Sequence, residues 1–201
     1  MAGRRQANQE ARRDQILGAA RAEFARQGYH ATQVSDIVRT AGIARGTFYY
    51  HYAGKRQVYD DLLETALRLI DENLGHIDPD RPVRAQLMRN VATLVRVLVD
   101  NLDMARILLH DAAGLDEDSD QRLARFYDRL LSRIEGTIQE GQRIGFIRDG
   151  DPSVIATAIV GTVKEVTYQW ILGTRRPPLP GAVREVARFV LDGIVRQPGA
   201  P

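Results

Sequence analysis

The chain has 201 residues, 44% of them hydrophobic, with no cysteine and a formal net charge of +2. That length and apolar content suffice for a buried core in one or two domains, and the lack of cysteine excludes disulfides, thiolate nucleophiles and cysteine metal sites. No apolar N-terminal run marks a signal peptide, and the most apolar stretch, 154–172, carries Lys164 and Glu165 in its middle, so a cytoplasmic protein without a membrane partner is expected.

Helical period dominates and strand-like alternation is nearly absent, which predicts an all-α fold of about nine helices. Ile16, Leu17, Ala20 and Phe24 form a first stripe that stops at Gly28. Val34, Ile37, Val38 and Ala41 form a second, with Thr32 as its expected N-cap and Gly42 as its stop. Phe48 and Tyr52 stand four apart on a third short helix. A fourth follows Lys55, with Val58, Tyr59, Leu62, Leu63, Ala66, Leu69 and Ile70 on one face, and ends near Gly75. Leu87, Val91, Leu94, Val95 and Leu98 mark the fifth, and Met104, Ile107 and Leu108 a short sixth. The acidic run DEDSDQ opens a long seventh helix carrying Leu123, Phe126, Tyr127, Leu130, Ile134 and Ile138. Asp151 followed by Pro152 starts an eighth that runs to about Gly173. After TRRPPLPG comes a ninth with Val183, Val186, Ala187, Val190, Leu191 and Ile194. The organisation is two-part, a head of residues 1–55 and a larger helical body of 56–201.

Charge is unevenly shared between the parts. Residues 1–56 hold ten Lys/Arg against four Asp/Glu, while the remainder holds eighteen against twenty-two. A basic head on an acidic body suits a polyanion partner, or is simply a solvated surface. Two short helices joined by a glycine-containing turn meet the requirement of a helix-turn-helix. In GIARGTFYYHYAGK (42–55), Phe48 and Tyr52 serve the buried side, leaving Gly46, Tyr49 and Tyr50 outward with Arg45, Thr47 and His51 flanking them. Arg45 can read a guanine edge and Thr47 a neighbouring base, while Gly46 lets the backbone approach the groove. Tyr49, Tyr50 and His51 can each reach a phosphate oxygen, and Lys55 and Thr32 sit at helix starts, where phosphate is also favoured. Arg4, Arg5, Arg12 and Arg13, in an arm expected to precede the first helix, would add minor-groove or phosphate contacts, unless the arm is only a solvated tail.

The run GYHATQVSDIVRTAGIARGTFYYHYAGK resembles the DNA-binding domain of TetR-family transcriptional regulators, closely over about residues 12–63. The resemblance implies a homodimer on a palindromic double-stranded DNA operator, usually a repressor, released when a small molecule enters the body. The head then becomes the helix-turn-helix domain, and the body the ligand-binding and dimerisation domain. By position, Arg45 and Thr47 match base-contacting residues. Thr32, Tyr49, Tyr50, His51 and Lys55 match positions at or near phosphates, and Gly46 the close-approach position. One departure is Ala44, where the family commonly has Ser or Thr as a cap; an alanine there forfeits roughly 1 kcal/mol.

In the body, Val154, Ile155, Ala158, Ile159, Val163, Val166, Trp170 and Ile171 spread around much of the eighth helix. The resemblance suggests that helices eight and nine pair with their copies in a dimer; burial within one subunit is the alternative. An effector pocket should be mostly apolar with a few polar groups. Candidate lining residues are Met88, Met104, His110, Phe126, Tyr127, Tyr168 and Trp170, with Arg106 and Glu165 as polar anchors, suiting an apolar or aromatic compound. No catalytic residue, cofactor or metal is expected. His30, His51, His76 and His110 lack metal spacing, and there is no HExxH, GxSxG, P-loop or GxGxxG pattern. Asp116, Asp118 and Asp120 mimic a calcium loop, but Gln121 stands where glycine is needed and Tyr127 where the bidentate glutamate belongs. The rival readings are a helical enzyme and a protein-binding adaptor, the latter leaving Arg45 and the outward tyrosines without a role.

Overall fold

The computed structural model describes residues 2–75, 77–78, 80–110, 117–173 and 179–195, with the side chains of 2–5, 108–110, 117–120 and 179–180 outside that description. Among the described residues the chain forms nine helices and no strand, apart from an isolated antiparallel bridge between Ile147 and Val195. The helices are α1 (Ala2–Gln27), α2 (Val34–Ala41), α3 (Arg45–His51), α4 (Lys55–Asn73), α5 (Val83–Asp100), α6 (Leu102–His110), α7 (Glu117–Arg143), α8 (Pro152–Leu172) and α9 (Leu179–Ile194).

Local signals set most boundaries. Gly28 (φ 85°) ends α1 and Gly42 (φ 62°) ends α2, both in the left-handed region where a side chain would be strained. Asp151 caps α8, its carboxylate accepting the N–H groups of Ser153 at 2.8 Å and Val154 at 3.4 Å, with Pro152 in the first helical position. α9 begins inside the proline-rich segment expected to be loop, with Pro180 in its first turn. Three expectations are corrected. The arm is itself helical, since α1 starts at Ala2; apart from Gly3 its residues include good helix formers and no proline. Thr32 does not cap α2, because Gln33 takes that position and its N–H donates to the Asp36 carboxylate at 2.9 Å. On α4 the leucine buried beside Leu62 and Leu63 is Leu67, while Leu69 is only half-buried. The side chains of the acidic run that holds Asp116, Asp118 and Asp120 lie outside the described residues.

α1 packs against α2 and α4, and its flank also meets α6. In the body the main pairings are α7 with α8 and α5 with α9. α4 belongs to both parts, since it packs on α1 at one side and on α5 and α7 at the other. Its apolar face buries Val58, Tyr59, Leu62, Leu63, Ala66 and Ile70, a large area withdrawn from water. Ion pairs line its α7 side, joining Asp60 to Arg122, Glu64 to Arg129 and Asp71 to Arg133. After α7 the chain turns back so that Ile147 lies against Gly141; a Cβ at that glycine would come within 2.5 Å of the Ile147 side chain.

Candidate nucleic-acid interface

α3 is two turns long, so it has room for a single i, i+4 pair on its inner side. Phe48 fills that place within α3, and Tyr52 follows as the C-cap residue; both are buried, their ring centroids 6.1 Å apart. The α2–α3 turn brings Ile43 half-buried onto the core, and Ala44 occupies the N-cap position in extended geometry without a side-chain hydrogen bond. Everything on the outer side then faces water. Arg45, Gly46, Tyr49 and Tyr50 are exposed, while Thr47 and His51 are half-buried.

The outward groups are organised. The Arg45 guanidinium lies 5.6 Å from the Tyr49 ring centroid and donates to its hydroxyl at 3.4 Å, a cation–π stack one turn apart. Tyr50 is 70% exposed, yet Gln9 of α1 donates to its hydroxyl at 2.8 Å, and His51 meets its ring edge-on at 5.0 Å. Gly46 has ordinary helical backbone, and a Cβ there would meet nothing within 4 Å. The fold therefore does not itself require a glycine at this position.

Two expected phosphate ligands are placed elsewhere. Thr32 is fully buried, and its hydroxyl donates to the Gly28 carbonyl at 2.7 Å. Lys55 points its ammonium at the carbonyls of Tyr29 (2.8 Å), His30 (3.0 Å) and Thr32 (2.8 Å), and lies 4.5 Å from the Tyr29 ring centroid. An ammonium has three donors, and here all three close the loop between α1 and α2. Arg13, expected in a free arm, is bidentate to Asp61 at 2.8 and 2.7 Å and also donates to the Tyr52 hydroxyl. The side chains of Arg4 and Arg5 lie outside the described residues.

Contacts that sequence reasoning missed hold this surface in place. The Tyr52 hydroxyl donates to Asp61 at 2.6 Å, tying the end of α3 to α4. Burial first, and then the hydrogen bond to Asp61, push its pKa well above the usual tyrosine range, so it stays a donor. Between α1 and α2, Glu23 is buried and accepts from Thr40 at 2.5 Å and Arg26 at 2.6 Å. The Thr40 bond, then the Arg26 bond, hold its carboxyl below the ordinary glutamate range. These partners are 9 to 48 residues apart except for Glu23–Arg26, so no local pattern announces them.

The body contains a cavity of about 630 Å³, within the range of small-molecule sites. Its buried wall includes Leu87, Val91, Ile134, Ile138, Ile147, Ile159, Leu191 and Ile194, and its exposed rim Gly75, Ser132, Arg133, Gly136 and Glu140. Of the nine ligand candidates chosen from sequence, none of the eight whose side chains are described lines it. Met104, Phe126 and Trp170 are buried in the core. Met88, Tyr127 and Tyr168 are half-buried, Arg106 and Glu165 are exposed, and the His110 side chain lies outside the described residues. The available signal was Gly136 and Gly141 inside a long helix, where glycine costs about 1 kcal/mol against alanine and asks for a reason of space or packing. Among the described residues no group of three or more His, Asp or Glu could hold a metal, and no helix is long and apolar enough to cross a membrane.

A two-turn helix offering an arginine–tyrosine stack, set in a helix-turn-helix and joined through α4 to a cavity-bearing body, defines a ligand-responsive DNA-binding regulator. Residues 16–62 match the family model of bacterial regulatory proteins of the tetR family, and residues 80–172 the model of the tetracyclin repressor-like C-terminal domain. The chain belongs to the TetR family of transcriptional regulators. It is similar to the fatty acid metabolism regulator protein of Bacillus subtilis (strain 168), 24% identical over 182 residues, covering 90% of this chain and 94% of the relative. Its fold matches that of the fatty acid degradation regulator FadR from Bacillus halodurans with a TM-score of 0.81 at 25% identity, covering 90% of this chain and 95% of that one. FadR from Bacillus subtilis, solved in complex with stearoyl-CoA, has a TM-score of 0.78 at 24% identity, covering 90% and 98%.

Proposed function

We propose that the protein is a homodimeric cytoplasmic repressor that holds a palindromic operator through two copies of α3 and lets go when a fatty acyl compound fills the body cavity. The observation that carries the reading is the outward face of α3. Gly46 answers to nothing inside the fold, and it sits beside an exposed guanidinium stacked on a tyrosine. A missing side chain there lets a DNA groove come close; Arg45 then reads a base edge, with Thr47 beside it, and Tyr49, Tyr50 and His51 meet phosphates. Thr32 and Lys55 support this surface from beneath. No catalytic chemistry is assigned to the chain.

The effector class is supported by the cavity wall, which is aliphatic, with no aromatic residue among its described lining. An extended hydrocarbon chain suits it better than an aromatic compound, in keeping with the fatty-acid regulators the chain resembles and the stearoyl-CoA bound by one of them. For the dimer, exposed Val154, Ala158, Gly161 and Leu172 fall on one face of α8, and Phe189 of α9 is 70% exposed. An exposed face with large apolar residues and small ones that admit close approach suits a second copy.

Genome-wide mapping of bound DNA in cells, followed by binding to the recovered site in rising salt, tests the reading. A two-fold symmetric motif is expected, with affinity falling by orders of magnitude between 50 and 200 mM salt, as phosphate contacts require. Stearoyl-CoA should then release the protein. A recovered motif without symmetry, or binding indifferent to salt, would refute it.

A further inference from the structure

The rim of the cavity carries one feature that a purely apolar guest does not use. Among the described lining residues Arg133 is the only cation. Its described partner is Asp71 of α4, reached through Nε at 3.3 Å, and the two side chains are 50% and 57% exposed. The contrast with Arg13 is instructive, since that guanidinium is gripped by Asp61 through two bonds of 2.8 and 2.7 Å. Arg133 makes this one long ion pair, and no hydrogen bond from its terminal nitrogens, Nη1 and Nη2, is described. The other charge on the rim, Glu140, is held by Arg143 at 2.8 and 2.6 Å, which neutralises it and keeps its carboxyl below the ordinary range. Asn90 is likewise committed, exchanging two hydrogen bonds with the Gly75 backbone. Arg133 is thus the less engaged of the two charged groups on the described rim.

We propose that Arg133 is the specificity residue for the effector's head group, taking an anion in exchange for Asp71 while the hydrocarbon chain lies along the aliphatic wall. This rests on the cavity being the effector site. A guanidinium fork matches a carboxylate or phosphate better than the one-point contact it makes with Asp71, and an exposed ion pair of that kind is easily opened. The anion is either a fatty-acid carboxylate or a phosphate of an acyl-coenzyme A; the chemistry at Arg133 is the same.

The test measures binding of dodecanoate, dodecanoyl-CoA and uncharged 1-dodecanol to the full chain by calorimetry. Wild type should bind one or both anions about tenfold more tightly than the alcohol, the scale of one charge-assisted hydrogen bond. Arg133→Gln should bring that anion down to the level of the alcohol and leave the alcohol unchanged. Asp71→Asn, which removes the competitor, should tighten the anion several-fold and again spare the alcohol. The two half-exposed substitutions break the same ion pair, so opposite shifts in anion affinity separate head-group recognition from a structural loss. Which anion responds identifies the source, carboxylate or coenzyme phosphate. Equal binding of anions and alcohol by wild type, or equal weakening of all three by Arg133→Gln, overturns the proposal while the cavity remains the effector site. Failure of all three probes to bind wild type overturns both.

Discussion

Replacing Lys55 by methionine keeps the aliphatic stem and removes the ammonium, which isolates what the charge does. In the folded protein that ammonium meets three backbone carbonyls at 2.8, 3.0 and 2.8 Å, two of them in part-buried surroundings. A hydrogen bond to a charged group contributes about 1.5–3 kcal/mol, but three bonds to one ammonium share a single desolvation cost and are not additive. The expected loss is therefore about 2–3 kcal/mol, a large fraction of a stability of about 5–15 kcal/mol. For a chain of this size it lowers the melting midpoint by about 4–12 °C. Operator binding measured well below the melt should keep its salt dependence, because no phosphate contact is lost. A lysine engaged with DNA would behave in the opposite way, with an unchanged melt and a slope of log K against log salt shallower by about 1 per subunit. That second pattern would refute the loop-closing role argued for Lys55.

Arg45→Ala should relax discrimination at one base pair by about 1–3 kcal/mol, read from a panel of single-base operator variants; an unchanged preference would remove Arg45 from base reading. Ala44→Ser should raise stability by about 0.5–1 kcal/mol, because a serine hydroxyl at this extended cap position can accept an N–H from the first turn of α3; a denaturant melt without a gain would count against it. The lowered carboxyl of Glu23 means that the folded state binds fewer protons than the unfolded one. Its contribution is complete above the ordinary glutamate value of about 4.3 and is lost as pH falls through the folded value, so stability between pH 6 and 3 should fall less steeply in Glu23→Gln. Phe189→Glu should shift the protein from dimer to monomer in analytical ultracentrifugation, and a dimer that persists would place the interface elsewhere.

Much of the head was legible because its elements are short and punctuated. Gly28 and Gly42 stop two helices, and the pairing of Phe48 with Tyr52 identifies the inner side of a helix too short to have another. The misplacements share a cause, since each depended on what lies across space. Thr32 is the favoured cap by residue type, and only its packing onto Gly28 leaves the position to Gln33. Lys55 at a helix start reads as a phosphate ligand until the α1–α2 loop is seen folded over it. The cavity was harder still. Isoleucine and leucine give the same periodic signal whether they fill a core or line a space. Aromatic and methionine content points instead to Met104, Phe126 and Trp170, which are buried in the core.

The unequal fastening of α3 connects the two halves of the molecule. At its C-terminal end Tyr52 is buried and hydrogen-bonded to Asp61, which Arg13 holds by two further bonds. At its N-terminal end the helix rests on Ala44, which offers no side-chain cap. The outward residues Arg45 and Gly46 are therefore presented from the loosely held end of a helix anchored at the other. Such an end adapts to a groove more readily than one capped at both termini. The anchoring residue Asp61 also adjoins Asp60, which pairs with Arg122 of α7. Two consecutive carboxylates on α4 thus face opposite partners, one in the DNA-reading head and one in the cavity-bearing body. A change in how α7 sits on α4 is therefore expected to reach the C-terminal end of α3 through these neighbouring carboxylates.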